Sequence, residues 1–220
     1  QRFRCRSCRK TCSRATFSGW FRQKKRLKNE QLRRHFASSG TIRRAARTFS
    51  LNRKTVERKL MALGFEAEAR LRMENLARRK IRVVEFDDME TFEHTKCKPL
   101  SITLAVQKRT RRILGLEVSS MAAKGLLAEK ARKKYGDRID GRAHARAELF
   151  RQLQDVVHEK ALIKSDKNPH YGADVANFFP NARHVQFEGR RPASTGQGEI
   201  KKGRFDPLFA LNHTCAMFRA

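Results

Sequence analysis

The feature that most restricts the fold is a change of pattern at Ile81. Up to Lys80 the apolar residues recur at helical spacing, whereas from Ile81 they gather into short β-rich runs separated by turns and by one long helical stretch. A chain written this way is not one uniform layer. It reads as a small all-α module followed by an α/β domain, and 220 residues leave the second part enough length to bury a sizeable core.

Charge follows the same division. Residues 1–80 hold 25 Lys and Arg against 5 Asp and Glu, a net of +20, which leaves +9 of the total +29 for residues 81–220. Such a surplus exceeds what solubility asks for and points to a polyanionic partner. Nucleic acid fits better than a membrane surface, because the basic segment has no long apolar stretch and no aromatic-anchored amphipathic helix. No apolar run approaches the roughly 18–20 residues of a membrane span, and the first 30 residues hold no signal-like apolar core, so a cytoplasmic protein is expected. The chain starts at Gln1 without Met and stops at Ala220 inside a helical pattern, and so reads as a fragment, with the second domain truncated at its C-terminus.

Residues 23–65 carry the clearest helical signal. Leu32 and Phe36 share one face; Thr41 is an N-cap candidate, followed by Ile42, Ala45, Ala46 and Phe49 at amphipathic spacing. A short turn leads to Asn52, a second N-cap candidate, and to a helix that turns Val56, Leu60 and Leu63 inward before Gly64 ends it. Three short helices with a tight second turn predict a helix-turn-helix. Its last helix presents Asn52, Arg53, Lys54, Thr55, Arg58 and Lys59 outward, as candidates for DNA contact. The plainer alternative is a three-helix core with a solvated basic face, and the single sign of the exposed charges favours DNA. Residues 66–80 read as a charged connecting helix.

Residues 1–22 contain Cys5 and Cys8 in a Cys-x-x-Cys, with Cys12 nearby. One such pair supplies half of a tetrahedral Zn²⁺ site, and Cys12 lies outside the usual two-plus-two spacing. Reduced surface thiols are the alternative, and an upstream cysteine pair would decide for zinc.

From Ile81 the order is strand to Phe86 ending at Asp87-Asp88, strand Ser101 to Val106, the basic turn 108–111, strand Arg112 to Ser119, a helical stretch 121–158 broken near Gly136 and Gly141, a strand Ala161 to Lys164 leading to Ser165-Asp166, a helix, a strand His184 to Phe187, a Gly/Arg/Lys-rich loop 189–204 and a final helix near Pro207. Three antiparallel strands, helix, then alternating strand and helix is the order of an RNase H-like fold. In that fold the first and fourth strands run side by side. Asp87 and Asp166, 79 positions apart, would then meet at one edge as hard oxygen ligands for Mg²⁺ or Mn²⁺. Two ions roughly 3.5–4 Å apart could activate one oxygen and stabilise another in a phosphodiester displacement. Taken singly, either Asp is more commonly a turn or cap residue.

The flanking residues carry a resemblance. The run from Glu85 through Asp87-Asp88-Met89 to Thr91-Phe92-Glu93 resembles the opening catalytic motif of bacterial insertion-sequence transposases, and Ile163-Lys164-Ser165-Asp166, followed by Tyr171, resembles their second motif. The Cys5-x-x-Cys8-x-Lys10-Thr11 start resembles the C-terminal half of their zinc ribbon, and the helix-turn-helix lies where theirs does. The family's usual third ligand is Glu, whereas Asp206-Pro207-Leu208-Phe209-Ala210-Leu211-Asn212-His213-Thr214 resembles the variant carrying Asn, here Asn212. Arg219, two turns later, matches the family's phosphate-binding basic residue, while Glu188, Glu199 and Asp206 are less well placed substitutes for a missing acid.

The resemblance implies a DNA transposase with two Mg²⁺ or Mn²⁺ ions on Asp87, Asp166 and Asn212. It also implies Zn²⁺ if the ribbon is completed, terminal inverted repeats bound by the helix-turn-helix, and target DNA held by Arg190, Arg191, Lys201, Lys202 and Arg204. Joining two ends implies at least a dimer. An inactive remnant is the nearest alternative. A helix-turn-helix regulator without enzymatic activity is a second, and a ribonuclease or resolvase of the same fold would not need the DNA-reading module.

Overall fold

The computed structural model of the chain describes residues 2–18, 20–188 and 206–219. Two compact units emerge, Gln1–Arg70 and Leu71–Ala220.

The first unit opens with a hairpin, β1 (Arg2–Arg4) and β2 (Thr11–Ser13), antiparallel with Phe3 opposite Cys12. Its turn is closed by Cys5 N–H on the Lys10 carbonyl (2.8 Å) and Arg9 N–H on the Cys5 carbonyl (3.0 Å). Three helices follow, α1 (Lys28–Ala37), α2 (Ile42–Thr48) and α3 (Arg53–Leu76). Leu32, Ala45, Leu51 and Val56 form their buried core, flanked by Phe36, Ile42, Ala46, Phe49 and Leu63. This is the apolar stripe expected from spacing except for Leu60, which is half-buried and stands outside that core. Both expected caps are made: Thr41 Oγ1 accepts from Arg44 N–H (3.2 Å) and Asn52 Oδ1 from Lys54 N–H (2.9 Å).

One boundary differs from expectation. Gly64 does not end α3, which continues to Leu76. An interior glycine costs a helix only about 0.5–1 kcal/mol. Here Met61-Ala62-Leu63 and Glu66-Ala67-Glu68-Ala69 are good helix formers on either side, and Glu66 pairs with Arg70 one turn on at 3.1 Å.

The second unit is mixed α/β. In chain order it contains β3 (Ile81–Phe92), β4 (Pro99–Gln107), β5 (Ile113–Ser120), α4 (Ala128–Tyr135), α5 (Arg142–Leu153), β6 (Val157–Asp166), α6 (Tyr171–Phe178), β7 (Arg183–Phe187) and α7 (Phe209–Arg219). The five strands lie in the order β5-β4-β3-β6-β7, with β3 central. β3, β4 and β5 pair antiparallel, and β6 joins β3 and β7 in parallel.

Helices cover both faces. Phe86, Ala105, Leu114, Ala161 and Ile163 of the sheet pack against Leu149, Phe150 and Leu153 of α5 and against Tyr171 and Val175 of α6. Met89, Leu104 and Val106, on the other face, meet Ala210, Leu211 and Cys215 of α7. Alternation along β3 thus sends Phe86 and Asp88 toward α5 and α6, and Glu85, Asp87 and Met89 toward α7.

Strand β3 runs past the point where the sequence pattern ends it. Asp87-Asp88 is mid-strand, because β4 pairs with β3 from Val84↔Gln107 to Phe92↔Pro99. The helical stretch 121–158 narrows to α4 and α5, separated at Gly136 (φ 75°) and Gly141, the two glycines that the sequence marks as breaks. The loop 189–204, with Arg190, Arg191, Glu199, Lys201, Lys202 and Arg204, lies outside the described residues. No helix among the described residues is long and apolar enough to cross a membrane.

Candidate active site

The central parallel ladder brings the two sequence-selected acids together. It registers Val84 with Ile163 and Glu85 with Lys164. Two residues further along each strand, Asp87 and Asp166 hold matching positions on the same face, the one that α7 covers. Neighbouring strands lie about 4.8 Å apart, so these carboxylates are adjacent across the strands.

Their electrostatics agree. Burial, and then the charge of Asp166, push the Asp87 carboxyl up to about 7 from its ordinary 3.8. Burial also raises Asp166, with the Asp88 charge adding to it and the Asn168 N–H, a 3.0 Å donor, opposing it. Among the described residues neither acid has a salt-bridge partner, although the chain is strongly basic.

Asp88 has the opposite surroundings. Its Oδ2 accepts from Arg146 Nη1 at 3.0 Å and its Oδ1 from the Thr103 hydroxyl. Arg146, a buried residue of α5, also donates from Nε to Asp174 of α6 at 2.5 Å. Tyr171 lies beside this clamp, fully buried, with its ring 4.7 Å from Phe86 and under the Arg146 guanidinium at 5.6 Å. Its hydroxyl donates to Asp87 Oδ1 (2.9 Å) and accepts from Asp88 N–H (3.0 Å). Burial and the surrounding acids push the phenol far above its usual range, so it stays a donor.

The sequence places Tyr171 in a motif without giving it a task, and Arg146, Asp174 and Thr103 escape notice altogether. One signal was available. Consecutive strand residues face opposite sides, so only one of Asp87 and Asp88 can share a face with Asp166, and the other needs a cation in the opposite helix layer.

Helix α7 is fixed over the acidic face. Leu211 N–H donates to buried Glu85 Oε2 at 3.1 Å. One turn on, burial and then the Asp87 charge raise the Cys215 thiol to about 11, with Arg219 opposing. Asn212 therefore lies on the helix that covers the acids, yet its Nδ2 donates to Asp206 Oδ2 at 2.9 Å. No hydrogen bond among the described residues joins Asn212 to Asp87 or Asp166, and its Oδ1 accepts none. His213 contacts Arg111, and Glu188 pairs with Lys167.

No group of three or more His, Cys, Asp or Glu side chains among the described residues is arranged to hold a metal ion. What is present is an adjacent carboxylate pair with no salt-bridge partner among the described residues. Such a donor set fits a hard divalent cation, with amide oxygen and water completing the shell. Cys5 and Cys8 are exposed, and their thiol and backbone hydrogen bonding lowers the Cys5 thiol. They could supply two ligands of a tetrahedral site; Cys12 lies on β2, opposite Phe3.

The outward face of α3 is smaller than the sequence implies. Asn52, Lys54 and Arg58 are exposed, Thr55 is half-buried, and Arg53 is exposed but pairs with Glu57 at 2.9 Å. Lys59 does not belong to this face. It is 4 % exposed, donates to Asn29 Oδ1 (2.6 Å) and Gln23 Oε1 (3.3 Å), and burial lowers its ammonium below the usual range. The reason is periodicity: Lys59 follows Val56 by three residues and so shares its core-facing side. No protein-family model matches the chain, and no curated protein is significantly similar to it.

Proposed function

We propose that this chain is a DNA transposase that performs metal-dependent phosphodiester cleavage and strand transfer, with an RNase H-like catalytic domain. Support for the fold comes from three antiparallel strands followed by two parallel ones, with the first strand central and helices on both faces. The observation that carries the activity is the matched placement of Asp87 and Asp166 on neighbouring strands, half-buried, mutually repelling and without a basic partner among the described residues.

Asp87 and Asp166 would hold Mg²⁺ or Mn²⁺, with Asn212 Oδ1 turning in as a third donor. Bound ions supply activation of the attacking oxygen and neutralisation of the leaving one. The chain positions the phosphate: Arg219, on the Asn212 face of α7, neutralises a backbone oxygen beside the acids. Asn52, Lys54, Thr55 and Arg58, with Arg53, contact the transposon ends in a major groove. The basic residues of 189–204 would hold flanking or target DNA, and joining two ends calls for at least a dimer.

The test is cleavage of an end-mimicking duplex with Mg²⁺ or Mn²⁺. Activity is expected in the wild type and background levels in Asp87→Ala and Asp166→Ala; metal-independent scission, or scission that survives both substitutions, defeats the assignment. The bond between Asn212 and Asp206 favours a second reading, an inactive remnant that binds DNA without cutting. Binding with a steep salt dependence and no scission under any metal supports that reading, or a regulator.

A further inference from the structure

We infer that Tyr171 is the positioning residue of the candidate metal site: its phenol fixes Oδ1 of Asp87 and so presents Oδ2 toward the face shared with Asp166. The inference rests on the functional reading above, and goes beyond it by assigning a task to a residue that touches neither DNA nor the reacting atoms.

Among the described residues, both hydrogen bonds that Asp87 accepts fall on Oδ1, from the Tyr171 hydroxyl at 2.9 Å and from Asp88 N–H at 2.7 Å. A carboxylate held at one oxygen by two donors has a fixed plane, and its other oxygen points away from them. The phenol is itself immobile. Its ring is fully buried against Phe86, and the Arg146 guanidinium lies over it. Tyr171 is the first residue of α6, and Arg146 ties that helix to β3 through Asp174 and Asp88.

The arrangement also explains why the second acid of the Asp87-Asp88 pair is present. Asp88 anchors the support of Tyr171 through Arg146 alone; its other oxygen accepts from the Thr103 hydroxyl, which reaches neither α6 nor Asp87, so neither oxygen is left free of a donor. Partners that orient metal ligands in this way typically contribute 10–100-fold to affinity or activity.

The test is Mn²⁺ uptake by the full chain, followed by loss of the free-ion EPR signal, together with the Mg²⁺ dependence of cleavage. Wild type should take up Mn²⁺ in a manner abolished by Asp87→Asn. Tyr171→Phe, which keeps the ring and removes only the hydroxyl, should weaken uptake about tenfold or more and move the Mg²⁺ midpoint upward, with cleavage largely recovered at saturating metal. Thr103→Val removes a donor from Asp88 but none from Asp87 and should keep wild-type Mn²⁺ affinity whatever it does to thermal stability.

Equal affinity in Tyr171→Phe, or equal weakening in Thr103→Val, overturns the positioning role and leaves the metal site intact. Wild-type uptake that does not depend on Asp87 overturns the functional reading and this inference with it. Should Tyr171→Phe fail to fold, Asp174→Ala removes the acceptor of Arg146 Nε and so loosens the start of α6 while keeping the phenol and both acids; unchanged affinity there overturns the inference.

Discussion

Consecutive side chains of a strand face opposite ways, and Asp87 and Asp88 show how much follows from that. One faces α7 and another acid, the other faces an arginine. Their thermodynamic signatures should differ accordingly. Asp87 has its carboxyl raised from 3.8 to about 7, so between those values the folded protein binds more protons than the unfolded chain. Stability from this group is complete below about 3.8 and is lost as pH rises through about 7, by roughly 4 kcal/mol at most. Denaturation without divalent metal should therefore show Asp87→Asn more stable than wild type at pH 8 and close to it at pH 4. At pH 8 added Mn²⁺ should stabilise wild type and leave the variant unchanged. Arg146 behaves in the opposite sense: Arg146→Met leaves Asp88 and Asp174 without a cation and should destabilise by about 3–5 kcal/mol in urea melts. The acid pair was legible because both acids follow apolar, β-rich runs. The clamp was not, because Arg146 reads as one more cation in a basic chain until its distance from Asp88 collapses in the fold.

Helix ends in the first unit are built with serines where glycine is the usual choice. Ser39 and Ser50 take left-handed backbones (φ 57° and 51°), and in each case the next residue closes onto the helix, Gly40 N–H on the His35 carbonyl and Leu51 N–H on the Ala46 carbonyl, both at 2.9 Å. A side chain in that conformation costs roughly 1–2 kcal/mol. Ser50→Gly should raise the unfolding free energy by about 0.5–1 kcal/mol after its own entropy is counted. Gly64→Ala should gain a similar amount, since the position is mid-helix, exposed and open, with nothing within 4 Å of an added Cβ. Chemical denaturation of the full chain reads both. The same elements show where sequence reading stops. Caps and apolar stripes are local and were legible; the end of α3 was not, because a lone glycine weakens a helix without deciding its length. The end of β3 escaped for a related reason: its second half is held by β4, a partner no local pattern reveals.

Charge at the scale of the whole molecule is what the sequence expresses most directly, and its division between residues 1–80 and the remainder needs no fold to be read. Which cations act is another matter. Removing Lys54 or Arg58, both exposed on α3, should lower the slope of log affinity against log salt for duplex DNA by about 0.9 for each lost phosphate contact, whereas Lys59→Met should leave the slope unchanged. A slope that falls with Lys59 would move the DNA face to the other side of the helix. Topology adds a last consequence. The central strand keeps β4 along one edge from Val84 to its end at Phe92, but on the other edge β6 stops at Asp166, level with Asp87. Just beyond that stop, the amide of Asp88 is shielded by a phenol and by its neighbour's carboxylate instead of by a strand. Hydrogen exchange at that amide should therefore report the joint opening of those two side chains and quicken in Tyr171→Phe, giving an isotopic clock set into the middle of the sheet.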